Sequence, residues 1–492
     1  MMTPSFEDFS LKAKLGNLIP VYREIIADCE TPVSAFLKIR GGRNPFLFES
    51  VEGGEKWGRY SFLGADPSII VKGKGDRITV IRGDRAEETR HGGDPLVVLK
   101  KILSEFKPVD VEGLPRFFGG AVGYLAYDMI RFFEPVGSRH PAKSAPDFFF
   151  AITDTLLIFD NVKHHIKVVS NAVIDDGDLK GAYAGAVQKI EAMIACLNRP
   201  LSSTPPVTKA VPIETPQSNV TRDQFKASVL KAKEYIKAGD IFQVQISQRF
   251  SVEIQADPFM VYRALRSVNP SPYMFYLQFD DDHLVGTSPE VLVRLEGNRV
   301  ETRPIAGTRP RGKTPQEDRD MEVDLLADPK ERAEHVMLID LGRNDIGRVC
   351  DYGSVEVDEL MVIERYSHVM HIVSNVIGDL KAGKDAFDVL RACFPAGTVT
   401  GAPKIRAMEI IDELETEGRS HYAGAVGYFS FQGNMDTCIT IRTIFIKGKT
   451  ATVQAAAGIV ADSDPDREFE ETVNKAKGML KAIALAENGL ET

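Results

Sequence analysis

The chain has little cysteine and almost no tryptophan: five cysteines and one tryptophan in 492 residues. Cys29, Cys196, Cys350, Cys393 and Cys438 are scattered, odd in number and never in a CxxC pair. That excludes a disulfide framework and a thiolate zinc site, and it leads us to expect a reducing, cytoplasmic setting. The sequence also lacks a long apolar run. The nearest stretch, 148–159, is broken by Asp154 and is too short to span a bilayer, so no membrane partner is expected. The first residues, MMTPSFEDFSLKAK, carry acids and no apolar centre, so they do not read as a signal peptide. Positive charge is not in excess: 60 Lys and Arg stand against 70 Asp and Glu, for a net charge of −10. A general nucleic-acid or anionic-membrane binder is thereby excluded, while a local basic pocket is not. No GxGxxG follows a strand and no Walker A motif is present, so nucleotide binding has no support.

What is there is ordinary globular material, 43% hydrophobic and 26% charged. The length suits about three domains, or fewer if one unit is large. Residues 198–220, NRPLSSTPPVTKAVPIETPQSNV, read as a Pro/Ser/Thr-rich linker between an N-terminal region, 1–197, and a C-terminal region, 221–492. The first region shows strand-like runs at Pro45–Glu49, Arg59–Leu63, Ser68–Val71 and Arg77–Ile81, then at 148–159 and 166–174, with helical patterns near 95–105 and 178–196. The second opens on a helix. Thr221 and Gln224 have capping-box spacing, Phe225, Val229, Ala232 and Ile236 share a face, and Gly239 is a stop. In the strand predicted at 241–250, Phe242, Val244 and Ile246 point one way and Gln243, Gln245 and Ser247 the other, toward solvent or a wet pocket. Strand pairs at 274–279 with 284–287, and at 425–431 with 437–446 and 450–455, favour an α+β fold over a doubly wound one.

Four constellations can carry chemistry. Glu331 and Glu334 share one helical face, and Glu468 and Glu471 repeat the i, i+3 spacing on another helix. Each pair alone reads as solvated acids in a first turn; together they can hold a hard dication. The loop 302–312, TRPIAGTRPRG, is a stiff bend with Arg303, Arg309 and Arg311, suited to a carboxylate or simply a surface turn. In 394–411 a Gly/Thr-rich loop feeds a helix, with Thr398, Thr400 and Lys404 as donors for an anion or as ordinary capping. Near the C-terminus, 427–446 reads as a hairpin whose second strand carries Arg442, and 453–465 as a strand ending in small residues. His371 alternates with apolar neighbours, as a core residue or an acid–base group.

Taken in order, PIAGTRPRG, DLGRNDIGRV, HVMHIVSNV, PAGTVTGAPKIRAME and QAAAGIVADSDPDREFEET resemble the chorismate-utilising enzymes over about residues 221–485. FLFES (46–50) and GRYSFLG (58–64) look like the anthranilate-forming members. The aminodeoxychorismate-forming members carry a nucleophilic lysine in the PIxGT motif, where this chain has Ala306. The isochorismate- and salicylate-forming members use a lysine base near the start of strand 241–250, where Gln243 stands here. NPSPYMF (269–275) resembles the tryptophan-feedback motif.

The resemblance implies a large antiparallel-sheet sandwich flanked by helices, and conversion of chorismate and ammonia to anthranilate and pyruvate. The alternatives are an aminodeoxychorismate-forming enzyme or a non-catalytic tryptophan-binding relative. It implies a Mg2+ site of Glu334 and Glu471, with Glu331 and Glu468 acting through water or in support. Gly307, Thr308, Tyr422, Arg442, Ala456, Ala457 and Gly458 would line the substrate, with an alanine at Ala456 where the family commonly has glycine. His371, Gln243 and Thr398 would form the catalytic set, His371 as acid–base. Glu49, Ser50, Pro272, Tyr273, Met274, Val426, Tyr428 and Cys438, with Arg59 and Ser61, would bind tryptophan as an inhibitor; Cys438 is otherwise a small buried hydrophobe. None of the five cysteines has the glycine-rich elbow of a glutaminase nucleophile. A glutamine amidotransferase subunit is therefore expected as partner, in a heterotetramer, and the chain alone should use free ammonia.

Overall fold

The computed structural model describes residues 1–50, 58–137, 139–141, 145–175, 177–201, 215–366 and 369–491. The centre of the expected linker, 202–214, lies outside the described residues. Its far end does not stay apart from the fold: Gln217 and Ser218 pair with Ser251 and Phe250. Among the described residues the strands form two antiparallel sheets of 12 strands each, flanked by helices, an α+β architecture. The sheets face one another across one apolar core. Tyr124 of one sheet meets Phe279 of the other at 4.8 Å between ring centroids, and Phe62 meets Tyr428 at 6.0 Å. No helix among the described residues is long and apolar enough to cross a membrane.

Both sheets draw strands from both ends of the chain. Phe46–Glu49 pairs with Tyr273–Phe279 in one sheet. Gly120–Leu125 pairs with Ala425–Ser430 in the other.

Two apolar runs that read as single strands each cross between the sheets. The run 148–159 divides at Asp154 into Phe148–Thr153 and Thr155–Asp160, one strand in each sheet. The charged residue marks the step, where its carboxylate reaches Lys189 at 2.8 Å. The run 437–446 divides likewise into Met435–Ile439 and Thr443–Lys447. Thr440, Ile441 and Arg442 make the crossing, and Arg442 takes the left-handed backbone region at φ 52°. Arg442 is thus a turn residue, not an alternating strand residue. Phe148–Thr153, Thr155–Asp160 and Met435–Ile439 are buried on both faces and carry no period-2 signal, whereas Thr443–Lys447 alternates.

Arg222–Ala238 is the expected helix, with the Thr221–Gln224 capping box formed and Gly239 closing it at φ 85°. Its apolar face packs with Val244 and Ile246 of strand Gln243–Glu253. Phe242 does not join them: it precedes the strand and is 73% exposed. Gln243 and Ser247 are buried and Gln245 is half-buried, so the polar face of this strand is not turned to bulk water. The expected loop at 302–312 is instead an edge strand, Ile305–Pro310, broken by a bulge between Ala306 and Arg309. Gly307, at φ 67°, supplies the conformation the bulge requires.

Candidate active site

Where the sheet ends meet helices Pro329–Gly347 and Pro465–Glu487, they enclose a cleft of about 860 Å³. Both helices begin on an aspartate cap, Asp328 and Asp464, with a proline in the first turn. Their i, i+3 acids then project into the cleft together: Glu331 and Glu334 from one wall, Glu468 and Glu471 from the other. Burial raises the Glu331 carboxyl, and Glu334 and Asp328 add to the effect. Burial likewise raises Glu468, with Glu471 adding repulsion. Each wall therefore concentrates negative charge at a desolvated point. Partial compensation comes from Gln243 Nε2, which donates to Glu334 Oε1 at 2.8 Å, from Lys475, 2.7 Å from Glu471, and from Arg309, 3.7 Å from Glu331. Among the described residues no three His, Cys, Asp or Glu side chains are drawn together as ligands of one ion. The donor set still fits Mg2+, which takes one or two carboxylates and fills the rest of its octahedron with water and substrate oxygens.

Beside the Glu331 wall, where a Cβ on Gly307 would come within 3.2 Å of Glu331 Oε2, the bulged edge strand borders the cleft. Gly307 and Thr308 line it beside His371, whose Nδ1 lies 2.8 Å from Gly307 O and 3.1 Å from Thr308 Oγ1. The carbonyl contact places the ring proton on Nδ1 and leaves Nε2 with its lone pair. Burial holds the imidazole pKa below its usual value, so the ring is neutral. Arg442 lines the cleft from the crossing between sheets and donates to Lys475 O at 3.2 Å. Burial lowers its pKa, and no carboxylate among the described residues pairs with it. A desolvated guanidinium facing a cleft in this way is matched to an incoming carboxylate.

Strand Thr450–Ile459 alternates through the site. Ala456 and Gly458 face the cleft. Ala457 faces the other way, fully buried in the apolar cluster with Val229 and Ile410, and does not line the cleft. Ala456 is outside the positive-φ residues, so an alanine is accommodated there without strain. A Cβ at Gly458 would come within 2.6 Å of Gln243 Nε2, so a side chain here would have to push that amide aside. Tyr422 also lines the cleft, its hydroxyl pushed up to about 12 by burial.

The loop before helix Lys404–Leu414 contributes less than expected. Thr398 reaches the cleft. Thr400 is buried and donates to Ala396 O at 2.9 Å, and Lys404 is held by Asp345 at 2.5 Å. The arginines of 302–312 are committed too: Arg303 to Glu359 and Glu364, Arg309 to Asp324 and Asp328, Arg311 to Asp318. None of the three is the carboxylate receiver that the sequence suggests.

Glu290 is a cleft residue with no counterpart among the sequence candidates. Buried beside Thr398, it has its carboxyl pushed up to about 8 by burial, against the weaker pull of Thr398 and the Ile305 N–H. It carries a proton at neutral pH. Its sequence signal is a lone acid between two apolar strands, Asp282–Ser288 and Val291–Glu296.

A second, narrow cavity of about 70 Å³ gathers most of the residues expected for an effector: Glu49, Ser50, Pro272, Tyr273, Met274, Val426, Tyr428 and Cys438. Tyr60 and Phe62 also line it, so their alternating neighbours turn away. Arg59 pairs with Asp160 at 3.0 Å, and the fully buried Ser61 accepts from Asn161 at 3.2 Å. Sequence reasoning missed Arg116, Arg294 and Asp436. Asp436 accepts from Tyr273 Oη at 2.9 Å, Arg294 Nε at 3.0 Å and an Arg116 Nη at 2.9 Å. Glu49 accepts from Tyr262 and from Arg266 Nε at 2.7 Å. An apolar cavity of roughly 150 Å³ admits benzene, so an aromatic amino acid can enter this one only by spreading its walls.

A family model described as chorismate binding enzyme matches residues 46–481. The chain is 50% identical to anthranilate synthase component 1 of Aquifex aeolicus over 492 residues, covering 99% of each chain. The crystal structure of anthranilate synthase component I from Streptococcus pneumoniae superposes with a TM-score of 0.75 at 37% identity, covering 92% of this chain and 98% of that one. The menaquinone-specific isochorismate synthase of Escherichia coli, 18% identical with a TM-score of 0.72 over 98% and 99% of the two chains, shares the fold.

Proposed function

The chain belongs to the chorismate binding enzyme family, and we propose that it converts chorismate and ammonia to anthranilate and pyruvate. The composition of the cleft carries this reading. Ala306 lines it where a nucleophilic lysine would stand, and Gln243 is bonded to Glu334 where a base lysine would stand. A cleft without either lysine suits an external nitrogen nucleophile. The names of the relatives agree with this.

Arg442 and the Gly307–Thr308 bulge orient the carboxylated ring. Glu331, Glu334, Glu468 and Glu471 would hold Mg2+, which when bound would neutralise a substrate carboxylate. Ammonia forms a bond to ring C2 as the ring double bonds shift and the C4–O bond breaks. Glu290 gives its proton to the departing hydroxyl, which leaves as water, and the new ammonium group returns a proton to it. His371, neutral and with a free Nε2, then takes the C2 proton as the ring C3–O bond breaks and the ring aromatises; the departing enolpyruvate takes that proton back from His371 on its methylene carbon and becomes pyruvate.

The smaller cavity is the site for tryptophan as a feedback inhibitor. Ammonia would come from glutamine through a separate amidotransferase subunit, in a heterotetramer. Five unpaired cysteines support a cytoplasmic setting. The test is incubation of the full chain with chorismate, ammonium and Mg2+, followed by fluorescence and mass of the product. Anthranilate with an equivalent of pyruvate is expected; a stable aminodeoxychorismate without pyruvate overturns the assignment.

A further inference from the structure

We propose that a small chamber beside the cleft is a binding and entry site for ammonia in its neutral form. The inference rests on the reaction proposed above and adds where that substrate waits. The chamber holds about 150 Å³ and is lined by Arg249, Arg419, His421 and Thr440, among others. Tyr422 and Gln454 line both the chamber and the cleft, so the two spaces share one wall. A water-sized molecule occupies about 30 Å³ of liquid. The chamber therefore has room for ammonia or a few molecules of that size.

Two groups mark it as a polar binding site. His421 is 4% exposed and Thr440 is 1% exposed. Among the described residues, neither His421 Nε2 nor Thr440 Oγ1 has a hydrogen-bond partner. Both are fixed in place. The His421 ring stacks on Phe445 at 4.3 Å with Nδ1 3.3 Å from Ser420 Oγ, and the Thr440 N–H donates to Gly424 O at 2.9 Å. Buried polar atoms left unmatched are costly, and a ligand that can both donate and accept removes that cost.

The charges select the neutral species. Arg249 and Arg419 present cationic side chains to the chamber, while their carboxylate partners, Glu417 and Glu415, do not line it. His421 is kept uncharged by burial, with its pKa at about 3. Ammonium meets repulsion there and finds no acceptor carboxylate among the described lining residues. Ammonia keeps both its lone pair and its N–H groups for His421 and Thr440, and arrives beside Gln454 as a competent nucleophile. Gln454 is held by Arg249 at 3.2 Å and by Ser247 at 2.8 Å, which fixes the shared wall.

The test uses the full chain with ammonium chloride as nitrogen source. In Thr440→Val and His421→Phe, the KM for ammonia should rise about fivefold, the loss of one hydrogen bond, while the KM for chorismate stays within about twofold. Thr440→Ser should restore the ammonia KM. An unchanged ammonia KM in a folded variant, or parallel rises in both constants, overturns the proposal. A second readout does not depend on turnover or on any variant. In protein labelled with 15N-histidine, ammonium chloride should shift the His421 Nε2 resonance and sodium chloride should not; no difference between the salts overturns the chamber. Wild-type chain that shifts this resonance but makes no anthranilate defeats the proposed reaction instead.

Discussion

Gln243 and Glu334 are joined by a hydrogen bond of 2.8 Å, from the amide Nε2 to carboxylate Oε1, across the gap between strand Gln243–Glu253 and helix Pro329–Gly347. The amide orients the acid without cancelling its charge. A lysine in that place would add a cation to the wall proposed to receive Mg2+.

Glu334→Gln should abolish turnover, by at least about 100-fold, because one proposed ligand loses its charge. Calorimetry should show tryptophan binding largely intact, since the two cavities have no lining residue in common. Normal turnover in this variant removes the metal assignment.

Gln243→Ala should act more gently. It frees Glu334 without neutralising it, so the Mg2+ concentration for half-maximal rate should rise about tenfold, with recovery at saturating metal. A magnesium titration of initial rates measures this.

Glu290 predicts a pH dependence. Its folded-state pKa, about 8, lies above the ordinary carboxylate range, so the protonated acid is available below that value and is lost as pH rises through it. Turnover should decline on the alkaline side of about pH 8, and the fold should lose stability from the carboxylate range up to that pH. Glu290→Gln should lower kcat about 100-fold and remove that alkaline limb from the pH–rate profile.

Ser50→Ala and Met274→Thr should each loosen tryptophan inhibition while sparing catalysis, because both side chains line the narrow cavity and neither lines the cleft. Inhibition curves at fixed chorismate decide it, and unchanged inhibition in both variants counts against the pocket.

Arg419 is buried against Glu415 at 2.6 Å and also donates to Val399 O and Gln245 O. Glu415→Ala leaves that cation uncompensated and should cost about 3–5 kcal/mol, read as a lower denaturant midpoint.

The sequence was most legible where its period is fullest. The helix after Thr221 and the paired acids of the two later helices are set by local spacing, and local spacing survives folding. Order along the chain added the cleft, because five motifs in sequence point to one family. Asp154 breaks the run 148–159 in the sequence, but neither it nor Thr440–Arg442 says that the next strand joins the other sheet, because sheet membership is set by pairing with distant strands. Ala457 was misplaced for a related reason. In QAAAGIV three alanines look alike, and only pairing with Ser247, Ile246 and Gln245 assigns 456, 457 and 458 their sides. Glu290 stayed hidden because its proton depends on burial by distant segments, which no local pattern records.

The shared sheets also bear on synthesis. Strand Phe46–Glu49 stays without its partner at Tyr273–Phe279, and Gly120–Leu125 without Ala425–Ser430, until those segments have left the ribosome. Most of the chain must therefore emerge before either sheet can close. During that interval the nascent polypeptide presents open, apolar strand edges, the kind of surface that chaperones protect.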